Sequence, residues 1–312
     1  MINRRVCSEI KDSLSFFSVV SIIGPRQVGK TTLAKQIMSE SAKPTLYLDL
    51  ELQSDLFKLD DAELFLTQND LWVKGGFPSV LFAKNDDLAR RWMENFISTY
   101  LNRDLLQLGL NASPKTIRNL WTMMAHLNGQ LFNATTLGNS LGLSSPTVKR
   151  YVDFLEEAFL LKSLHPFSWN MPKRLVKTPK VYLTDTGILH HLSGITDLNN
   201  LSGNPLIGNS WESFVVNQIM VLKKNPIDLY FYRTHQGTEV DLVFTRGLQV
   251  VATAEIKYSN SPQLTKGNFQ AFEDLNAPMN YVITPSSDDY LFKERIRICS
   301  LKAFVTNYLK SL

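Results

Sequence analysis

Cysteine is nearly absent from this 312-residue chain, which contains only Cys7 and Cys299. Two cysteines are too few for a disulfide framework or a structural zinc site, and such low usage is typical of a reducing compartment. Long apolar runs are also missing: the run from Leu14 to Ile23 is too short to span a bilayer, and no signal-peptide pattern follows the first five residues. We therefore expect a soluble, cytoplasmic protein with no membrane partner.

The chain carries little excess charge, with a net value of +4. Residues 81–204 hold most of it, with 13 basic and 9 acidic side chains. This excess is too small to indicate nucleic-acid binding by itself, since such proteins usually carry a concentrated basic face. With 44% hydrophobic and 20% charged residues, the composition is that of a globular protein of two or three domains.

A glycine-containing loop stands out near the N-terminus. The apolar run Val19–Ile23, predicted to be a buried strand, leads into Gly-Pro-Arg-Gln-Val-Gly-Lys-Thr-Thr, and an amphipathic segment follows through Ile37. This is the phosphate-binding loop pattern in its expected context. The predicted nucleotide-binding residues are Gly24, Pro25, Arg26, Gln27, Val28, Gly29, Lys30, Thr31 and Thr32.

The residue types explain this assignment. Glycines allow backbone N–H groups to surround a phosphate, and the following helix adds the positive end of its dipole. Lys30 would contact the β- and γ-phosphates, and the Thr31 hydroxyl would be a ligand of Mg²⁺. We expect ATP and Mg²⁺ as cofactors; the alternative is a glycine turn that binds nothing.

The segment after this loop lacks a feature that hydrolysis needs. A second strand is predicted at Thr45–Glu51, but no further strand ending in an acidic residue follows it, although phosphate-loop enzymes use one to hold Mg²⁺ and position water. Asp49 and Glu51 end the strand that directly follows the first helix, which is not the usual position. Residues 52–68 look polar and helical, and Asp70–Pro78 is predicted to be a turn-rich connector.

Helical periodicity dominates the middle of the chain. Asp87 is predicted to cap a packing helix that runs through Leu108. Further helices are predicted over 114–127 and Ala134–Leu141, the latter capped by Asn133 and ended by Gly142. Ser144 and Pro146 open a third helix. Its predicted inner face consists of Val148, Val152, Leu155 and Phe159.

This arrangement is typical of a helix-turn-helix, and two strands, 160–164 and Lys180–Leu183, make it winged. The loop between the strands is basic. In a DNA-binding interpretation the third helix faces the major groove and the loop contacts phosphates. The residues concerned are Thr147, Lys149 and Arg150 on the helix and Lys173, Arg174 and Lys177 in the loop. Three acids on the same helix support the alternative, a protein-contact or spacer unit: Asp153, Glu156 and Glu157.

In the last part of the sequence, side chains alternate between apolar and polar as they do in β-strands. After a predicted turn at Asp185 and a loop over Asn199–Asn204, a helix is predicted over Trp211–Met220. Three strands follow at 229–233, 239–244 and 250–258, and their alternation fixes which side chains share a face.

That alternation brings a group of charged residues together. Asp241, Glu255 and Lys257 are expected on one face of two adjacent strands, and Glu212 could join them from the preceding helix. An Asp followed by Glu-x-Lys is the pattern of metal-dependent nucleases, in which Asp241 and Glu255 hold Mg²⁺ or Mn²⁺ and Lys257 activates water or stabilises the developing charge. The alternative is a cross-strand Glu–Lys ion pair on an exposed face.

Several stretches together resemble the prokaryotic predicted ATPases of the AAA superfamily that carry a C-terminal domain of unknown function. They are the phosphate loop, Gly-Gly-Phe-Pro, Tyr-Leu-Asn-Arg-Asp, Lys-Val-Tyr-Leu-Thr-Asp-Thr-Gly, Trp-Glu-Ser-Phe-Val, Phe-Tyr-Arg-Thr, Glu-Val-Asp-Leu-Val and Ala-Glu-Ile-Lys-Tyr. The resemblance implies an α/β multidomain protein that binds ATP. We expect a shortened P-loop NTPase-like region at 1–70, a helical connector at 71–112, a winged helix-turn-helix at 113–184 and a domain resembling PD-(D/E)XK restriction endonucleases at 185–312.

The chain departs from that family between Gln68 and Leu71. Family members carry there a long segment with an Asp-Glu-x-Gln strand end, a polar sensor and an arginine-bearing loop. We therefore expect a degenerate member with weak or no ATP hydrolysis. Two other functions remain open: a metal-dependent nuclease-like, DNA-processing protein, and a non-catalytic module that binds DNA or protein.

Overall fold

The computed structural model describes residues 6–16, 30–41, 68–107, 109–110, 112–168, 174–223, 226–259, 261–285 and 288–312. The chain separates into two compact units, Met1–Phe65 and Leu66–Leu312. The predicted phosphate loop from Gly24 to Gly29 and both predicted N-terminal strands lie outside the described residues, as does most of 52–68. None of the helices in the described ranges has the length and apolar character that a membrane span requires.

The described part of the first unit consists of two helices, α1 (Val6–Phe16) and α2 (Lys30–Ser39). Helix α2 lies where the amphipathic segment after the phosphate loop predicts it. Cys7 and Ile10 of α1 form a small buried cluster with Leu33 of α2. The predicted phosphate loop therefore leads directly into a helix that begins at Lys30.

The first described elements of the second unit are helices. They are α3 (Gln68–Lys74), α4 (Pro78–Leu81) and α5 (Asp86–Thr99), which continues as a π-helical segment (Tyr100–Asp104) and a last turn (Leu105–Gln107). The prediction of a turn-rich connector at Asp70–Pro78 is wrong for its first half, because Leu71 and Trp72 are buried and hold α3 in place. The N-cap of α5 is Asn85, not Asp87, since the Asn85 side chain accepts the N–H of Leu88.

Three helices and a three-stranded antiparallel sheet follow. They are α6 (Pro114–His126), β1 (Gln130–Leu131), α7 (Ala134–Leu141), α8 (Ser145–Glu157), β2 (Leu161–Leu164) and β3 (Lys180–Leu183), with strand order β1-β3-β2. Asn133 caps α7, and Gly142 ends it in the left-handed conformation, as predicted. Phe159 is not on the inner face of α8: it lies beyond the helix end at φ +59° and is 84% exposed.

The rest of the second unit is built on a six-stranded sheet of order β4-β5-β6-β7-β9-β8. Its strands are β4 (Ile227–Arg233), β5 (Glu239–Arg246), β6 (Gln249–Ile256), β7 (Asn280–Thr284), β8 (Tyr290–Lys293) and β9 (Ile296–Ser300). Strands β4 to β6 are antiparallel hairpins, whereas β7 is parallel to both β6 and β9.

Several helices precede this sheet in the sequence, lie between its strands or follow it. They are α9 (Thr186–Leu192), α10 (Leu198–Ser202), α11 (Ile207–Leu222), α12 (Lys266–Leu275) and a terminal run of short turns from Leu301 to Ser311. Two predictions are wrong here. The Asp185 turn opens α9, because the Asp185 side chain caps it, and the predicted loop at Asn199 lies in α10, which Asp197 caps.

Buried polar groups fix α11 against the first half of the unit. Asn128, which is fully buried, accepts the N–H of Leu183 in β3 at 2.8 Å and donates to the carbonyl of Asn209 at 3.4 Å. Trp72 donates to the Ser210 hydroxyl at 2.8 Å. Since buried polar groups need such partners, these bonds set the position of the first turns of α11 relative to β3.

Candidate functional site: a charged cavity in the second unit

A cavity of about 810 Å³ lies where β3, α11 and the six-stranded sheet meet. Its charged lining residues are Lys180, Glu212, Arg233, Glu239, Asp241, Glu255 and Lys257. The four residues that the sequence predicts as catalytic are therefore brought into one cavity, although they come from α11, β5, β6 and the residue after β6.

The register of β5 and β6 explains part of this arrangement. Leu242 pairs with Ala254, so Asp241 and Glu255 lie opposite each other one residue further along the antiparallel pair. The Asp241 Oδ2 accepts the N–H of Ile256 at 2.9 Å, which fixes its side chain. Lys257 contacts Glu255 Oε1 at 2.7 Å.

Lys180, which the sequence did not predict as a site residue, lies at the centre of the carboxylates. Its Nζ is 3.0 Å from Glu212 Oε1, 2.8 Å from Glu239 Oε1 and 3.3 Å from Asp241 Oδ1. Tyr182, two residues along the same strand, donates its hydroxyl to Glu212 at 2.6 Å. A lysine and a tyrosine two positions apart in an otherwise apolar strand was the available signal, since alternate residues share one face.

Burial and charge together set the protonation of this cluster. Burial opposes a positive charge on Lys180, but the neighbouring carboxylates outweigh it and hold the pKa of Lys180 well above its usual value. Burial, assisted by the Asp241 carboxylate, raises the pKa of Glu255 to about 8, although Lys257 acts in the opposite direction. A carboxyl group with such a pKa exchanges its proton near neutral pH, as general acids and bases do.

The donor set of the cavity meets the needs of a divalent cation only in part. In the described part of the chain, no group of three or more His, Cys, Asp or Glu side chains is arranged to hold a metal ion. Glu255 Oε2, however, is buried and has no hydrogen-bond partner among the described residues. Mg²⁺ keeps several waters and needs only one or two carboxylates, so Asp241 and Glu255 fit such an ion as a two-carboxylate site.

On α8, the basic residues predicted to contact DNA and one of the acids that favour the alternative have different surroundings. Lys149 and Arg150 are exposed on α8. The acid Glu156 is instead held by β2, since it accepts the Ser163 N–H at 3.0 Å and the Ser163 hydroxyl at 2.6 Å.

The loop between β2 and β3 is docked on the edge of the larger sheet. Val176 donates to Arg233 of β4 at 3.0 Å, and His235 donates to the Arg174 carbonyl at 3.1 Å. The Arg174 and Lys177 side chains remain exposed, while Lys173 lies outside the described residues. The backbone of this loop is therefore fixed by the C-terminal sheet.

At the predicted nucleotide site, the described residues begin directly after the glycine loop. Helix α2 begins at Lys30, and the side chains of Thr31 and Thr32 are exposed in its first turn.

The comparison with protein families assigns the N-terminal part. Residues 17–81 match the AAA domain family. Residues 66–199 match a domain of unknown function, DUF8612, and residues 207–304 match another, DUF4143. The chain thus combines an AAA-like, ATPase-type region with a C-terminal domain whose family function is unknown.

Three relatives with similar sequences carry only the name of uncharacterised proteins. Proteins of Mycobacterium bovis and Mycobacterium tuberculosis are each 36% identical over 226 residues, which is 72% of this chain and 51% of theirs. A Haemophilus influenzae protein is 25% identical over 125 residues, 38% of this chain and 31% of that protein. The chain therefore spans about half the length of the mycobacterial relatives.

One solved structure aligns along most of the chain. It is a half-complex from an assembly of Thermococcus gammatolerans McrB AAA+ hexamers with bound McrC. The alignment covers 95% of this chain and 87% of that chain at 10% identity, with a TM-score of 0.26. A score this low supports no conclusion about a shared fold.

Proposed function

We propose that this protein binds ATP with Mg²⁺ through Gly24–Thr32 and hydrolyses it weakly or not at all. The observation that carries the proposal is that the phosphate-loop motif lies inside the region matched by the AAA domain family. The helix that begins at Lys30 supports it, because the motif requires a helix at that position to direct its dipole toward phosphate.

The weak or missing hydrolysis follows from the sequence after the second predicted strand. Between Leu52 and the helices of the second unit, the sequence predicts no strand that ends in an acidic residue. Without that carboxylate, Mg²⁺ and the attacking water lack one of their positioning groups. Residues 68–81, which the AAA match includes, form α3 and α4 instead of a strand.

Calorimetric titration with Mg·ATP tests nucleotide binding. Wild type should bind saturably, and Lys30→Ala should lose most of that binding. Lys35→Ala is the matched control, since Lys35 is an exposed lysine on the same helix beyond the first turn. Equal binding by wild type and Lys30→Ala would contradict the proposal, as would no binding by either.

A nuclease-like activity of the C-terminal domain is the second candidate, and the Asp241–Glu255–Lys257 arrangement favours it. Asp241 and Glu255 would hold one Mg²⁺ or Mn²⁺, which supplies Lewis-acid stabilisation of a phosphodiester when bound. Lys257, with its side chain 32% exposed, would stabilise negative charge that develops on the substrate. Glu212 would act as a positioning residue, since its carboxylate is held by Lys180 and Tyr182.

Cleavage of DNA in the presence of Mn²⁺ tests this candidate. Lys257→Ala and Glu255→Gln should each abolish cleavage, whereas Lys302→Ala, at an exposed lysine outside the cavity, should leave it intact. Absence of Mn²⁺-dependent cleavage by wild type, or unchanged cleavage by Lys257→Ala, would reject it.

A winged-helix, DNA-binding role for 113–184 is the third candidate. It is supported by the order of α6, α7, α8, β2 and β3 and by the exposure of Lys149 and Arg150. Docking of the 174–176 backbone on β4 leaves the Arg174 and Lys177 side chains exposed. DNA could therefore contact α8 and the loop without displacing the C-terminal sheet.

A further inference from the structure

An aromatic ring lines the charged cavity beside its catalytic candidates. Tyr258, the residue after Lys257, belongs to the cavity wall and is 39% exposed. Its ring packs against two buried indoles, with centroids 5.1 Å from Trp72 and 6.3 Å from Trp211. The ring is therefore held in position by buried neighbours, while part of its surface stays accessible.

The N-terminus of α11 opens into the same cavity. Residues 207–209 are part of the lining, and the N-cap, Leu206, provides no capping side chain. A Cβ at Gly208 would meet no atom within 4 Å, so a ligand has room beside the backbone there. Trp211, one turn further along, contacts Tyr258, which places the start of the helix near the ring. The positive end of a long helix attracts an anionic group.

Glu255 indicates that an occupant completes this cavity. Its side chain is only 6% exposed, and its Oε2 is buried with no hydrogen-bond partner among the described residues. Buried polar atoms of folded proteins nearly always have a partner, so a group from outside the chain would supply the missing one. The neighbouring Lys257 keeps 32% of its side chain exposed and can contact an anion next to the ring.

Together these features suit the parts of a nucleotide. An aromatic ring stacks on any base, whatever its identity, whereas a helix N-terminus and a lysine suit phosphate. Bases inside a duplex are already paired and stacked, so a base reaches a ring in a cavity only when it is unpaired. The carboxylates of Glu212, Glu239 and Asp241 are held by Lys180, which offsets part of their repulsion of phosphate.

We propose that the cavity binds an unpaired nucleotide of single-stranded DNA, with its base stacked on Tyr258 and its phosphate between the start of α11 and Lys257. This inference rests on the nuclease-like candidate for the choice of nucleic acid as ligand. It deepens that candidate, because it names a single strand as the form that enters the site.

Fluorescence anisotropy with labelled oligothymidylate, at low salt and with EDTA to prevent cleavage, tests the stacking position. Tyr258→Ala should raise the dissociation constant by about 5- to 150-fold, whereas Tyr258→Phe, which keeps the ring, should stay near wild type. Tyr290→Ala is the matched control, since Tyr290 is an exposed tyrosine of β8 outside the cavity. The same strand paired with oligoadenylate should lose no affinity in Tyr258→Ala.

A second variant tests the phosphate position without disturbing the packed ring. Gly208→Glu adds a negative charge where the chain leaves open space, so it should weaken oligothymidylate binding by about 5-fold or more. Its melting temperature should not fall, because an acid in the first turn of a helix is favourable. Gly208→Ala is the uncharged control and should bind as wild type does.

Four results would overturn the inference. They are no binding of the single strand by wild type, equal binding by wild type and Tyr258→Ala, an equal loss for the duplex, and unchanged binding by Gly208→Glu.

Cleavage in Mn²⁺, measured separately, distinguishes this inference from the nuclease-like candidate. Tyr258-dependent binding without any cleavage would reject the candidate and leave the binding site standing. Cleavage by a wild type whose single-strand affinity does not depend on Tyr258 would do the reverse.

Discussion

The backbone N–H of Gly76 donates a 2.7 Å hydrogen bond to Oδ2 of Asp185, 109 residues further along the chain. The other oxygen of Asp185 accepts the N–H of Ile188 and caps α9. Gly75 has a φ of +80°, and a Cβ there would lie 2.3 Å from Asp185 Oδ1. Gly-Gly-Phe-Pro and Asp-Thr-Gly, which the sequence shows as separate motifs, are therefore two sides of one contact.

Replacement of Asp185 should lower the free energy of unfolding by more than the loss of a helix cap alone would. Asp185→Ala removes the cap of α9 and the bond to Gly76, so we expect a loss of about 2–4 kcal/mol in the free energy of unfolding. Asp197→Ala, which removes the exposed cap of α10 and a local bond from the Thr196 hydroxyl, should cost less stability. Urea denaturation measures both, and equal losses would contradict the linking role of Asp185.

Gly187 should not tolerate a methyl group. A Cβ at this position would lie 2.1 Å from the Lys74 carbonyl oxygen, whereas at Gly203 the nearest atom is 4.0 Å away. Gly187→Ala should therefore destabilise the protein by about 1–3 kcal/mol, because α3 must move away from α9. Gly203→Ala is the control, and its urea midpoint should stay near the wild-type value; a similar midpoint for Gly187→Ala would show that α3 and α9 are not in close contact.

Local signals in the sequence predicted much of this fold. Asn133, Gly142 and Ser144 placed α7 and α8 correctly, because capping chemistry acts within a few residues. The alternation of side chains along β5 and β6 predicted that Asp241 and Glu255 share one face, because this pattern also acts over a few residues. These features need no knowledge of the distant chain.

Two of the misses depend on long-range contacts, and one depends on where a helix ends. Helix α3 is short and polar at its start, and it is held by the burial of Trp72 against Ser210, which no local pattern reveals. The spacing of Lys180 and Tyr182 indicates that they share a face of β3, but it does not place that face in the cavity, since that requires the orientation of the small sheet relative to β5. Phe159 was misplaced because α8 ends before it, and the chain then turns into the left-handed region.

The buried His190 should make stability depend on pH. Its Nδ1 lies 2.8 Å from the Val73 carbonyl, so this nitrogen carries the proton, and Nε2 accepts from the Ser210 hydroxyl at 2.6 Å. Burial lowers the pKa of His190 to about 4, despite the bond to Val73. The unfolded chain takes up this proton near pH 6.5, so the contribution is present above that pH and is lost as the pH falls toward 4.

The size of this effect follows from the two pKa values. Between pH 7 and pH 4 we expect wild type to lose about 3 kcal/mol through His190. His190→Gln, which does not titrate, should start from a lower stability and lose less over the same range. Chemical denaturation at several pH values measures the difference, and parallel curves for the two proteins would contradict it.

If α8 contacts DNA, its two basic residues should control the salt dependence of binding. Lys149→Ala with Arg150→Ala should weaken binding and reduce the slope of log affinity against log salt by about 2. Arg90→Ala with Arg91→Ala removes the same charge from the exposed face of α5 and should change the slope little. Fluorescence anisotropy at several salt concentrations measures both, and retention of DNA by the Lys149/Arg150 variant would reject groove contact by α8.

The central claim is that the nucleotide site binds ATP without hydrolysing it efficiently. The most direct test is to measure the release of phosphate from ATP by the purified chain. The measurement is made on samples whose Mg·ATP binding is followed by calorimetry, with Lys30→Ala beside wild type. We predict saturable binding that depends on Lys30, with phosphate release by wild type close to the rate of Lys30→Ala. Release that requires both Mg²⁺ and Lys30 would contradict the account and show that the N-terminal region is a working ATPase.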